Sequence, residues 1–137
     1  GNGEEKKYLE KYIKLNQLQN NISLLGFIDN IFPIVKNSLA LISASLWEDP
    51  GAVMIEASFC RKNIISSNCP NGPEEFLSYG KGGYLFRNND SKDLENKINI
   101  FLNDSEKNKY NKITLCNKKI KNYTLFDHFK TLNILLN

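Results

Sequence analysis

Two periods of apolar residues alternate along this chain. Residues 4–15, EEKKYLEKYIKL, place Tyr8, Leu9, Tyr12, Ile13 and Leu15 at helical spacing. Residues 21–27, NISLLGF, read as a short strand ended by Gly26. Residues 30–38, NIFPIVKNS, predict a short helix, with Pro33 tolerated only in its first turn. Residues 39–45, LALISAS, predict a strand buried on both faces. A buried helix over 51–60, GAVMIEASFC, leads to a further strand over 62–68, KNIISSN. A loop with a short helix from about Pro73 follows, then a last short strand within 83–90, GYLFRNND. The rest reads as helix, in the segments SKDLENKINIFLND, SEKNKYNKITLCNKKIKNY and TLFDHFKTLNILL.

Strands alternating with helices specify an α/β layer fold with a mainly parallel sheet. The chain opens on a helix with no strand before it. A doubly wound domain normally opens on a strand, so this chain is expected to be the later part of one. Its 137 residues suit a single packed core. The 41% hydrophobic and 24% charged residues are those of an ordinary soluble protein. No apolar run approaches the roughly 20 residues of a membrane span, and the charged start GNGEEKKYLEKY has no signal-peptide pattern. A net charge of +3, with lysines scattered over helices, does not point to nucleic acid. Cys60, Cys69 and Cys116 are odd in number and lack CxxC spacing, which favours reduced thiols in a cytoplasmic setting over a zinc site.

The candidate chemistry lies in SLWEDPGAVMIEA, residues 45–57, where Glu48 and Glu56 stand eight positions apart. A carboxylate in an apolar run is costly unless something hydrogen-bonds it, so each implies a partner. Glu48 follows the strand over 39–45, in the loop beyond its carboxyl end, where open α/β sheets bind ligands. Asp49 can serve as N-cap and Pro50 as the first helical residue. The N–H groups of Gly51, Ala52 and Val53 would then be free at a helix N-terminus, a ready anion site. Glu56 follows about 7 to 8 Å along the axis. One carboxylate before the anion turn and one behind it would suit a sugar diphosphate with hydroxyls at both ends. The same residues also admit a structural reading, with Glu48 a solvated loop residue and Glu56 bonded to a nearby backbone amide. On spacing alone both readings stand.

The segment resembles the E-x7-E signature of retaining glycosyltransferases of the GT-B fold, family 4. Three further blocks support the resemblance in order: LLGFIDN at 24–30, CRKNIISSNCPNGPEEFL at 60–77 with Gly72 and Glu75 in register, and GKGGYLFRNNDSKDLENKI at 80–98. It implies an α/β, Rossmann-like parallel sheet with flanking helices, the C-terminal half of a GT-B fold lacking its first two strands. Residues 1–137 would form one partial, donor-binding domain with C-terminal helices from about 104. It further implies that Glu48 faces the donor sugar as the catalytic carboxylate. The backbone of Gly51, Ala52 and Val53 would hold the diphosphate, with Asp49 and Pro50 also donor-binding, Glu56 would accept from the ribose hydroxyls, and Phe27 and Ile28 would lie near the base. The substrate would be a nucleotide diphosphate sugar, with no cofactor and no metal, since no DxD-type motif is evident. The acceptor, a glycan or lipid-linked sugar, would bind a missing N-terminal domain. Lipopolysaccharide or other surface-glycan assembly at the inner face of the membrane, by peripheral association, is the expected setting. A non-catalytic nucleotide-binding module is the alternative; an epimerase-type domain is disfavoured because GNGEEK lacks the third glycine of G-x-G-x-x-G.

The sequence departs from the family at Asp49 and Pro50, where Gly and Phe are common, and no equivalent of the family's diphosphate-clamping Arg and Lys is found. Alone, the chain is expected to be an inactive fragment. In the usual strand order the absent strands would separate residues 21–27 from 39–45. Their apolar edges are expected to lead to strand re-pairing, a strand-edge dimer, or pairing with residues before residue 1. His128, the only histidine, reads as a packing or helix-surface residue rather than a base. Tyr123, Phe126 and Phe129 read as core or interdomain packing, Cys69 as an apolar filler, and Trp47 equally as donor-site lining or packing.

Overall fold

A computed structural model of the protein describes residues 2–49 and 51–136, without the side chains of Asn122 and residues 125–128. Pro50, expected to be donor-binding and the first helical residue, and the side chains of Phe126 and His128, lie outside the described residues. The chain divides into two compact units, Gly1–Ile31 and Phe32–Asn137.

The first unit holds helix α1 (Lys6–Leu15), followed by an irregular segment. Ile13 is its buried contact, whereas Tyr8, Leu9, Tyr12 and Leu15 of the predicted apolar face are exposed. The strand expected over 21–27 does not form. Ile22, Leu24, Leu25 and Phe27 are exposed, and the segment has not re-paired into the sheet. A parallel strand has no hairpin partner of its own. Its N–H and C=O groups need flanking strands, and an apolar run does not supply them.

The second unit begins with α2 (Phe32–Asn37) and builds a three-stranded parallel sheet in the order β1 (Ala40–Ser43), β2 (Asn63–Ser67), β3 (Tyr84–Phe86). Helix α3 (Ala52–Phe59) connects β1 to β2, and the short α4 (Pro73–Phe76) lies between β2 and β3. Then come α5 (Ser91–Asn103), α6 (Glu106–Lys119), a 3-10 turn over Ile120–Tyr123 and α7 (Leu125–Leu136). Among the described residues no helix is long and apolar enough to cross a membrane.

All five residues of β2 are buried, and successive side chains serve opposite faces. Ile64 joins Met54, Ala57, Phe76, Leu77, Cys116 and Ile120 on one face. Ile65 joins Tyr84, Phe86 and Phe101 on the other. α3, α4 and α6 thus cover one side and α5 the other. The prediction that the 39–45 strand is buried on both faces needs correction, because Ile42 is 48% exposed. β1 is the sheet edge, and its only sheet neighbour among the described residues is β2. Phe129, expected to pack, is also exposed, as is half of Tyr123, whose ring meets Phe76 edge-on at 5.8 Å.

The last helices begin where the sequence provides caps. Asp90 accepts from the Asp93 N–H at 2.9 Å, and Asp93 accepts from the Arg87 N–H at 2.8 Å. Ser105 accepts from the Asn108 N–H at 3.2 Å. Between those helices, Asp104 accepts from the Tyr84 hydroxyl at 2.8 Å, tying the α5–α6 turn to β3. Burial, then this bond, push the Tyr84 hydroxyl well above the ordinary tyrosine range. The same donation holds Asp104 below the usual carboxylate range against partial desolvation. The two shifts give stability two pH limits. Asp104 contributes above its unfolded pKa of about 3.9, and the contribution is lost as pH falls through its lower folded value. Tyr84 contributes below its unfolded pKa of about 10, and that is lost as pH rises toward its higher folded value. Tyr84→Phe should therefore be less stable than wild type at neutral pH, with the gap shrinking toward both extremes. Urea unfolding across the pH range measures it; a gap independent of pH would show that the hydroxyl–carboxylate bond contributes nothing.

Candidate functional site

The carboxyl ends of the three strands converge on one loop, residues 44–51. The buried Ser67 hydroxyl of β2 donates to the Ser45 carbonyl. The Asn88 amide, just past β3, donates to the Leu46 carbonyl at 3.0 Å. The Glu48 N–H makes a long bond, 3.4 Å, to the Pro70 carbonyl in the loop after β2. Three of these loop positions are thus tethered from other strands' ends.

The Glu48 side chain is held as well. The Ser45 hydroxyl donates to Glu48 Oε1 at 2.6 Å, and the Ser43 hydroxyl lies 3.3 Å from the same oxygen and 3.3 Å from Ser45 Oγ. Each serine has one proton to give. Ser45 therefore makes the strong bond, and Ser43 supports either the carboxylate or Ser45 itself. Glu48 is not the freely solvated loop residue of the structural reading. Its other oxygen, Oε2, lies 3.8 Å from where a Cβ on Gly51 would stand. The carboxylate thus adjoins the start of α3.

That start differs from the one expected. Gly51, not Asp49, is the N-cap, at φ 72° and ψ 48°, and Asp49 is exposed. The left-handed conformation is open to glycine at little cost, and it turns the chain into α3 without a side-chain cap. The Met54 N–H bonds to the Gly51 carbonyl at 2.9 Å. Among the described residues the Ala52 and Val53 N–H groups have no partner. Ala52 is exposed and Val53 half-buried. Free N–H groups at the positive end of a helix form a concave anion site.

Glu56 lies one turn further along α3, half-buried, and its carboxylate has no hydrogen-bond or ion-pair partner among the described residues. The backbone-amide partner of the structural reading is not there. The two glutamates thus differ: Glu48 is anchored through one oxygen, and Glu56 is unengaged. Trp47 is 58% exposed, which removes its core-packing role. Cys69 is buried, as expected of a filler. Phe27 (exposed) and Ile28 (half-buried) belong to the first compact unit. Arg87, just past β3, is ion-paired with Asp90 at 2.9 Å and lies 3.8 Å from Asp93. Among the described residues no three His, Cys, Asp or Glu side chains are grouped as a metal site requires.

Ser43, Ser67 and Asn88 were not singled out in the sequence. The pattern S-A-S-L-W-E carries a signal for the first, since a hydroxyl two residues before Ser45 shares its side of the strand end. Nothing local marks Ser67 or Asn88, whose partners lie 22 and 42 positions away.

Residues 1–114 match the family of glycosyl transferases group 1. The chain belongs to that family. It is 40% identical over 77 residues, 56% of its length, to an uncharacterized glycosyltransferase of Methanocaldococcus jannaschii, of which it covers 19%. It is 28% identical over 104 residues, 76% of its length, to a poly(ribitol-phosphate) alpha-N-acetylglucosaminyltransferase of Staphylococcus aureus, of which it covers 21%. It superposes on the crystal structure of Staphylococcus aureus TarM with a TM-score of 0.85, at 24% identity over 98% of this chain and 27% of that one. The fold is that of GT-B glycosyltransferase C-terminal domains, and the chain spans about a fifth of the curated relatives' length.

The left-handed N-cap of this glycosyl transferases group 1 domain can be tested directly. Gly51→Ala puts a Cβ into a conformation costing a non-glycine residue about 1 to 2 kcal/mol, and 2.4 Å from the flexible Met54 Cε. Its urea midpoint should fall by a corresponding amount with an unchanged slope; an unchanged midpoint would mean that α3 starts in another way.

Proposed function

We propose that this domain binds the nucleotide diphosphate sugar of a retaining, family 4 glycosyltransferase. The observation that carries this reading is two carboxylates flanking a helix start with free N–H groups, at the carboxyl edge of a parallel sheet. The TarM crystal structure is a complex with Fondaparinux, alpha-GlcNAc-glycerol and UDP. UDP is therefore the first nucleotide to test.

In this reading the diphosphate rests on the backbone of Gly51, Ala52 and Val53, and Asp49 and Pro50 belong to the same donor-binding segment. Glu56 accepts hydrogen bonds from the ribose hydroxyls, and Glu48 faces the sugar hydroxyls beside the anomeric carbon. The bond from that carbon to the diphosphate oxygen breaks, its electron pair leaving with the diphosphate. The acceptor oxygen bonds to the same face, and its proton passes to the departing diphosphate oxygen. Negative charge grows on the leaving group, where the helix start is aimed, and preorganised dipoles of this kind carry much of catalysis. No metal ion or cofactor takes part. Residues 1–137 act as one partial domain, and the acceptor, a glycan or lipid-linked sugar, binds elsewhere in the complete enzyme. That enzyme works on surface glycans such as lipopolysaccharide at the inner face of the membrane, and this chain alone is inactive.

Thermal unfolding of the chain with UDP, GDP, ADP and CMP tests donor binding. A ligand at ~100 times its dissociation constant adds about 2.7 kcal/mol. UDP should raise the midpoint, and Glu56→Ala should abolish the rise without altering the unliganded midpoint. A rise undiminished in Glu56→Ala would remove Glu56 from the site. In the complete enzyme, Glu48→Gln should abolish transfer with UDP affinity unchanged, and excess chelator should leave wild-type transfer intact. A fully active Glu48→Gln would refute the catalytic assignment, and a complete enzyme that binds donor without transfer or hydrolysis would favour a non-catalytic nucleotide-binding module.

A further inference from the structure

We infer that Ser45 is a positioning residue, aiming the Glu48 carboxylate at the start of α3, and that Ser67 in turn fixes Ser45. This deepens the donor-binding reading of Glu48 and rests on it.

The geometry makes a chain of three links. The Ser67 side chain, 1% exposed in the central strand, donates to the Ser45 carbonyl and locks the backbone just beyond β1. The Ser45 hydroxyl then donates to Glu48 Oε1 at 2.6 Å. That bond occupies one carboxylate oxygen and leaves Oε2 as the one nearer Gly51. A terminal carboxylate torsion is otherwise broad and roughly two-fold, so an untethered Glu48 would present either oxygen over a range of angles. Ser43 adds a second hydroxyl 3.3 Å from the same oxygen, itself in a buried position at the end of β1. Both serine hydroxyls lie within 3.3 Å of Oε1, and among the described residues no hydrogen bond reaches Oε2. The asymmetry selects one oxygen for an incoming hydroxyl and sets its direction.

A tether of this kind works on the chemical step more than on nucleotide affinity. The nucleotide is assigned to Glu56 and the helix start, and the hydrogen bonds of Ser45 go instead to Ser43, Glu48 and Ser67. A reacting group misplaced by ~1 Å can lose on the order of a hundredfold in rate. A merely structural serine would instead lower folding stability and nucleotide affinity together.

The test uses the complete enzyme and reads kcat, donor KM, UDP affinity and thermal midpoint for Ser45→Ala, Ser45→Thr and Glu48→Gln. Ser45→Ala should lose about tenfold to a hundredfold in kcat, with UDP affinity within twofold of wild type. Ser45→Thr, which keeps the hydroxyl, should recover most of that loss. Adding Ser45→Ala to Glu48→Gln should cause no further loss, because the tether then has nothing to aim. If Ser45→Ala fails to fold, Ser45→Cys keeps the volume, weakens the donor and reads the same kcat effect. A Ser45→Ala enzyme with wild-type kcat beside an inactive Glu48→Gln would overturn the positioning role and leave the donor-binding reading in place. Parallel loss of kcat, UDP affinity and midpoint, without rescue by Thr, would also overturn it. A fully active Glu48→Gln would instead bring down the reading on which the inference rests.

Discussion

A strand buried on both faces must be covered on both faces, and β2 imposes that requirement on the whole second unit. Its five buried residues supply Ile64 to one core and Ile65 to the other. Parallel pairing forbids hairpins, so each neighbour is reached by a crossover that packs on the sheet. α3 and the segment carrying α4 make these crossovers, and α5, which follows β3, covers the other face. One result is geometric: all three strands end on the same edge, and the loops leaving them meet there. The tethers from Ser67, Asn88 and Pro70 to residues 45–48 are possible only because the three strands run in register. Close glycine contacts show how tightly the other edge of the core is built. A Cβ on Gly83, at the entrance to β3, would stand 2.7 Å from the Ile64 carbonyl.

How legible this was depends on where each residue's partner lies. β2, α3, α5 and α6 could be read from the sequence because their signals are local: the Ile64–Ile65 pair within a short run, Asp90 and Ser105 before helical periods, and alternation of element type. The 21–27 run was misread because an apolar run looks the same whether or not neighbours complete its hydrogen bonds. Ile42 was misread for a related reason, since burial in a parallel strand depends on its place in the sheet and β1 is at the edge. Asp49 was the sensible N-cap by residue type, yet the glycine two positions on could enter the left-handed region and took the role. For the site, the pair Glu48 and Glu56 and the anion-ready start of α3 were legible from spacing. The serine scaffold around Glu48 was not, because its outer member is 22 residues away on another strand.

The two glutamates illustrate two ways of using a carboxylate. Glu48 has spent one oxygen on Ser45, on a loop fixed to other strands, so little side-chain freedom remains to be lost when a ligand arrives. Glu56 stands on a helix with no partner among the described residues and keeps its rotamers until a ligand orders them, a cost of the order of 1 kcal/mol for such a side chain. Chemistry at an anomeric carbon demands fixed geometry, whereas recognition of ribose hydroxyls tolerates adjustment. Under the proposed donor-binding function, the anchored carboxylate suits the reacting end of the donor and the other suits the nucleoside end. Between them the helix start supplies partial positive charge without a side chain that must itself be ordered. The same division follows from the backbone: the loop bearing Glu48 is held by side chains from β2 and from the turn after β3, while Glu56 takes its position from α3 alone. A substitution anywhere in the tethering set should then be felt first at Glu48, and at Glu56 only if the start of α3 itself moves.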